Sequence, residues 1–213
     1  ATPIRAWPAP RPMPSRGSRA RVLPAGFYDR PTRDVLDDLI GKVLAHAVDG
    51  RRVSGVIVEA EAYIGEADPA CHAAAGLTRR TAPLYGPPGR AYVYLNYGLH
   101  YLVNAVTEAE GFPSAVLIRA LEPLEGVDTM RARRGRAADV MGLCRGPGNL
   151  TAALGITLDQ NRADLTRGSL TIEDHGLPRR PIRHTPRIGI RVGTTVRWRA
   201  LAVDSLAVTK IKG

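Results

Sequence analysis

Cysteine occurs twice in this 213-residue chain, at Cys71 and Cys144. Two cysteines make no disulfide framework, and neither stands in a CxxC or Cys/His spacing of the zinc type. A reduced compartment and no structural metal are the expectations. No apolar run reaches the eighteen or so residues of a membrane span, and no short apolar segment follows the N-terminal charges as in a secretory leader. The chain is therefore expected to be soluble and intracellular, in the cytoplasm or on the nucleoid, with no membrane partner. Lysine is almost missing too, being confined to Lys42, Lys210 and Lys212.

What is abundant is arginine. Lys and Arg together number 30 against 20 acids, a net charge of +10, and all but three of those cations carry the planar guanidinium that suits phosphates and base edges. A surplus of this size favours a polyanion, with nucleic acid the first candidate. Residues 1–25 hold six prolines, five arginines and no acid, a composition that cannot bury much surface, and they are expected to form a disordered basic tail. The remainder, 26–213, is long enough for one substantial core and is expected to be one domain.

Helical spacing begins at Pro31, with Val35, Leu36, Leu39, Ile40, Val43 and Leu44 on one face. Further helices are predicted over 125–134 and 149–154, the latter stopped by Gly155. Strand patterning covers 53–64, 91–106, 115–121, 169–173, 187–192 and 196–208. The fold class that follows is α+β, a single domain with a mixed, largely antiparallel sheet and packed helices. Residues 178–199 carry seven arginines and no acid, which fits either a solvated sheet face or a stripe that tracks phosphates.

Chemistry concentrates in the strand VSGVIVEAEAYIG. Period two puts Val56, Val58, Ala60, Ala62 and Ile64 on one face, and Ile57, Glu59, Glu61 and Tyr63 on the other. Residues two apart lie about 6.5–7 Å apart by strand rise. Two carboxylates so close in an apolar strand need a cation or a raised pKa, so the pair is either a buried ion bridge or a catalytic site. Arg119 in AVLIRALEPL is the candidate cation, expected to meet Glu59 or Glu61. In RAYVYLNYGLHYLVNAV two strand runs flank Asn96-Tyr97-Gly98, which predicts a hairpin with Gly98 at positive φ and Tyr97 at the tip. Asn104 shares an apolar face with Leu102 and Val106, and a buried amide there needs partners. Tyr63 and Tyr94 near a carboxylate could sandwich a planar base, although tyrosines are also ordinary strand formers.

The segments VEAEAYIG with DPACH, GRAYVYLNYGLHYLVN, VLIRALEPLEG and LCRGPGNLTAALGI, in this order and from about Leu23 onward, closely resemble the alkyladenine (3-methylpurine) DNA glycosylases. The resemblance implies a fold without the helix-hairpin-helix of other glycosylases. It implies that Glu61 is the general base, with Tyr63, His72, Tyr94 and Asn104 around the flipped base and Tyr97 intercalating in the vacated place. Arg119, and by looser alignment the backbone carbonyl of Ile188, would hold the attacking water. Glu59 is assigned a structural part, with a cation or backbone donor outside the pocket as its partner. The stretch 107–114 is slightly longer than in vertebrate members, and 73–88 is a segment in which the family varies.

The activity so implied is base excision repair by a monofunctional enzyme. Damaged purines in double-stranded DNA (3-methyladenine, 7-methylguanine, hypoxanthine, ethenoadenine) would be flipped out and hydrolysed by a monomer that needs neither metal nor cofactor. No lysine lies in the motif segments, so no lyase activity is expected. Two rival classes are a non-catalytic nucleic-acid-binding module, which has no use for a carboxylate on its binding face, and a zinc nucleobase deaminase, whose His-x-Glu and Pro-Cys-x-x-Cys pattern is missing.

Overall fold

A computed structural model describes residues 20–135 and 139–209. The expected tail lies outside the described residues over 1–19, and its last part is corrected. Arg21–Val22 form strand β1, paired with β7, and Leu23 is buried. Leu23 is what anchors this end in the core, Val22 remaining exposed.

Helix α1 (Ala25–Tyr28) leads to α2 (Thr32–Leu39), which buries Val35, Leu36 and Leu39. The apolar spacing continues beyond Gly41, but the helix does not. Val43–Val48 form β2, a strand that helical periodicity concealed. The long β3 (Arg51–Ile64) follows, then the hairpin of β4 (Ala91–Asn96) and β5 (His100–Val106), and then β6 (Ser114–Glu125). Helix α3 spans Val127–Arg134. Helix α4 spans Pro147–Leu154, two residues ahead of the expected start because Pro147 serves as its first helical residue, and Gly155 ends it as expected. The last strands are β7 (Leu170–Asp174), β8 (Ile182–Thr185) and β9 (Arg199–Ala202). The strand expected over 187–192 is instead irregular loop, and that over 196–208 shrinks to β9. Gly189 and Gly193 break the run of apolar residues there.

The strands form one antiparallel sheet in the order β1-β7-β2-β3-β6-β5-β4, with β8 and β9 joined to it through β3. Helix α2 packs on β3 and β6, and α4 on β5 and β6. Together they enclose a core around Leu36, Leu39, Ile118 and Leu150. This is the α+β single domain that the patterning implied.

The course of β3 positions the site. Its first half pairs with β2 (Val43↔Val56 to Val48↔Arg51) and its second half with β9 (Glu59↔Leu201 to Glu61↔Arg199), while β6 runs along the other side. Residues 59–61 therefore have strands on both edges, and Glu59, Ala60 and Glu61 are all without exposed surface. The β3–β6 register also slips and recovers. Ile57 faces Leu121, Glu59 faces Ala120, and Ala60 faces Ile118, which leaves Val58 and Arg119 as extra residues on their strands. Bulges of this kind re-aim side chains, and this one lies beside the two glutamates.

Candidate active site

Glu59 and Glu61 share one cation and diverge in everything else. Arg119 donates from Nε to Glu59 Oε1 at 2.8 Å and from Nη1 to Glu61 Oε2 at 3.2 Å. It meets both carboxylates rather than one. Glu59 gains two more donors, Arg199 Nε at 2.8 Å and the Thr209 N–H at 2.6 Å. Burial works to raise the Glu59 carboxyl, but the charges of Arg119 and Arg199 and the Thr209 N–H outweigh it and hold it below the usual range. Glu59 is thus a stable carboxylate bound by two cations, Arg119 and Arg199, and a backbone donor.

Glu61 accepts from the Tyr63 hydroxyl at 2.8 Å and, at Oε1, from the Ile188 N–H at 2.7 Å. Burial dominates and raises its carboxyl above the usual range, with Glu59 adding to the rise. Arg119, the Ile188 N–H and Tyr63 oppose it without cancelling it. One strand therefore carries two carboxylates shifted in opposite directions, a separation typical of sites that assign different tasks to two acids.

In front of Glu61 opens a cavity of about 370 Å³, lined by Tyr63, His72, Tyr94, Tyr97, Asn104, Arg119 and Ile188 among others, within the size range of ligand pockets. Glu61 itself has no exposed surface. It stands behind Tyr63, Arg119 and Ile188, each of which both bonds to it and faces the cavity. The site residues named from the sequence meet here, Ile188 lining the cavity and donating its N–H to Glu61.

The walls are aromatic. His72 packs edge-on against Tyr94, with ring centroids 4.5 Å apart, and its Nδ1 shares a 2.9 Å hydrogen bond with the Tyr92 hydroxyl. Burial, then the charge of Arg80, pushes His72 down to about 4, so the ring is neutral at neutral pH. Asn104 lies opposite Tyr92 across the hairpin and donates to its carbonyl at 2.9 Å. At the tip, the Leu99 N–H bonds to the Asn96 carbonyl at 3.0 Å, with φ +49° at Tyr97 and +70° at Gly98. Both central residues have positive φ, the type I′ geometry. For Gly98 that is free. For Tyr97 it costs on the order of 1 kcal/mol, and its ring is 85% exposed. A large aromatic held in a strained turn and surrounded by solvent contributes nothing to the core, which marks it as a contact for something outside the chain.

Four participants were missed. Tyr92 was read only as a strand residue, yet it anchors His72. Arg80 lies 5.6 Å from the Tyr94 ring centre. Asp68 and Arg187 form a buried bidentate pair beside Tyr63. The Asp of DPACH and the Arg of RIGI were the available signals. Of the seven arginines in 178–199, Arg180 pairs with Glu122 and Asp204, Arg187 with Asp68, and Arg199 with Glu59, all three buried. The other four, Arg179, Arg183, Arg191 and Arg197, are exposed, so the segment interleaves three buried ion pairs with an exposed cationic face. Among the described residues no cluster of His, Cys, Asp or Glu could hold a metal, and no helix is long and apolar enough to cross a membrane.

Residues 26–205 match the sequence model of a family described as methylpurine-DNA glycosylase (MPG). A protein of Burkholderia lata is 48% identical over 181 residues, 84% of this chain and 86% of its own length. One of Rubrobacter xylanophilus is 53% identical over 167 residues, 78% and 86% of the two chains. One of Chlorobaculum parvum is 45% identical over 185 residues, 86% and 88%. Each of the three is named "Putative 3-methyladenine DNA glycosylase".

Proposed function

The chain belongs to the methylpurine-DNA glycosylase family and is a DNA glycosylase, and from that premise we propose that it flips alkylated or deaminated purines from duplex DNA and hydrolyses them with water activated by Glu61. The observation that carries this reading is the buried Glu61 carboxylate, raised by its surroundings and set behind an aromatic cavity by three groups that also face that cavity.

The damaged base leaves the stack at a cost of a few kcal/mol, least for lesions that pair badly. Inside, Tyr63 and Tyr94 take its two faces, while His72, neutral and tied to Tyr92, contacts its edge. Asn104 crowds the place of a guanine amino group. The bond between C1′ and the base nitrogen breaks toward an oxocarbenium-like state, its electron pair leaving with the base. Water forms the new bond to C1′ and passes its proton to Glu61. A cationic base such as 3-methyladenine departs neutral, whereas hypoxanthine also needs a proton. Glu61 Oε2 already accepts two hydrogen bonds and Oε1 one. An ionised carboxylate oxygen has room for about two, so Oε1 takes the water, with Arg119 and the Ile188 backbone beside it.

Action as a monomer, on the DNA itself, is part of this proposal. The test is incubation with duplexes that carry hypoxanthine or 7-methylguanine, followed by alkaline cleavage of abasic sites. Strand breaks at the lesion are the expected product, and their absence on every lesion would refute the reading. Tyr97→Ser addresses the wedge. Its fold should be intact, because the replaced residue is 85% exposed, while affinity for lesion duplex falls roughly tenfold, equivalent to about 1.4 kcal/mol. A fluorescent base analogue placed at the lesion reports flipping, and an unchanged signal would remove the wedge.

A further inference from the structure

Arg187 stands one residue before the N–H that bonds Glu61, and its side chain, like that of Glu61, has no exposed surface. Its Nη1 and Nη2 hold the two oxygens of Asp68, the second at 2.8 Å, with side-chain exposures of 0% and 1%. Nη1 also donates to the Ala62 carbonyl at 3.0 Å, between Glu61 and Tyr63 on β3, and Nη2 to the Gly193 carbonyl at 3.3 Å. The guanidinium lies 4.7 Å from the Tyr63 ring centre and 5.2 Å from that of Trp198. Asp68 in turn accepts from the N–H groups of Ile64 and Ala70, and its carbonyl accepts from the N–H of Cys71, immediately before His72. The loop from 187 closes tightly over the pair, since a Cβ on Gly193 would come within 2.9 Å of Arg187 Nη2.

Three otherwise separate segments are thus pinned to one planar ion pair: the end of β3 with Glu61 and Tyr63, the loop that delivers His72, and the loop that delivers Ile188. An ordinary stabilising bridge would not need to carry a general base, one of its donors and two pocket walls together. Buried pairs of this kind give little net stability, and geometric precision is what a reacting site gains from them.

We infer that Arg187, held by Asp68, is a positioning residue for excision, setting the Ile188 N–H against Glu61 and the Tyr63 ring against the flipped base. The inference rests on the assignment of Glu61 above. If the Ile188 N–H drifts, Glu61 loses a donor that favours its ionised form. The groups facing Glu61 are Glu59 and Tyr63 on β3, Arg119 on β6, Tyr94 on β4 and Arg187 itself. Glu59, Arg119 and Tyr94 lie outside the contacts of its fork, so replacing the fork acts on Glu61 through the Ile188 N–H and Tyr63.

The experiment measures single-turnover excision of hypoxanthine against pH, with Arg187→Lys and Asp68→Asn beside wild type and Glu61→Gln. Lysine keeps the charge but cannot hold Asp68, Ala62 and Gly193 in one plane. Both variants are expected to lose roughly 10- to 100-fold in rate, and the acid limb of the profile should move to higher pH. Binding to undamaged duplex should stay at the wild-type level. Gly193→Ala, which presses on the guanidinium from the loop side, replaces either variant that fails to fold. Lower melting temperatures combined with wild-type rates and an unmoved acid limb would show that the pair only stabilises. A Glu61→Gln enzyme that excises normally would instead overturn the assignment of the base.

Discussion

Glu61→Gln should slow excision of a damaged purine by roughly 10²–10⁴-fold, the usual worth of a general base, while leaving the fold and lesion binding largely as they are. Glutamine preserves the volume of a side chain that has no exposed surface. Its amide oxygen can still accept from the Ile188 N–H or the Tyr63 hydroxyl. Glu59 remains as the counter-charge of Arg119, so the guanidinium is not stranded. The walls at His72 and Tyr94 do not touch residue 61, and affinity for lesion duplex should persist. What disappears is the ability to take a proton from water. The same logic sets the wild-type pH profile. On the proposed mechanism activity requires ionised Glu61, whose carboxyl lies above the usual range, and it should fall as pH drops through that raised value. His72, at about 4, would give a limb at lower pH. Single-turnover rates across the pH range check both points, and a variant as fast as wild type would end the assignment.

Much of this arrangement was legible in the chain, for reasons that particular residues make clear. Period two placed Glu59, Glu61 and Tyr63 together because side chains on a strand can only alternate, and Asn96-Tyr97-Gly98 declared a turn because few residues accept positive φ. Arg119 could be paired with the glutamates because an unpartnered guanidinium in an apolar strand is too costly. Long-range contacts were not legible. That β3 exchanges β2 for β9 along one edge, leaving residues 59–61 paired on both edges, depends on β9, some 140 residues onward. The extra residues Val58 and Arg119 compensate each other in register and leave the alternation on each strand nearly undisturbed. Val43 and Leu44 kept the helical spacing of α2 while lying in β2, since a short apolar run satisfies either period. Arginines at 180, 187 and 199 looked like a cationic stripe because their acids, Glu122, Asp68 and Glu59, lie between 58 and 140 residues away. Spacing in sequence carries no record of such partners.

The largest effect on stability is expected at Arg119. Arg119→Met keeps most of the buried volume and removes the one cation that touches both carboxylates. Deleting one member of a buried charge network costs about 3–5 kcal/mol, because the remaining charges are left in a place that water cannot reach. The two glutamates share that cost unequally. Glu59 retains Arg199 and the Thr209 N–H, whereas Glu61 keeps two uncharged donors. Its carboxyl, already raised by burial, must rise further. The sign of the pH dependence follows. In wild type, lowered Glu59 stabilises the fold above its unfolded pKa, and that contribution is lost as pH falls through the lower folded value. Raised Glu61 behaves oppositely, favouring the fold at acid pH and losing that contribution as pH rises. Without Arg119 the Glu61 behaviour is exaggerated, so the deficit against wild type should be greatest at neutral pH and above and should shrink at acid pH as Glu61 takes up its proton. Urea unfolding of both proteins at neutral and at acid pH measures this. A deficit independent of pH would mean that Arg119 acts through packing alone. A shrinking one would tie the ionisation of Glu61, on which the proposed excision step depends, to the guanidinium that bonds both carboxylates.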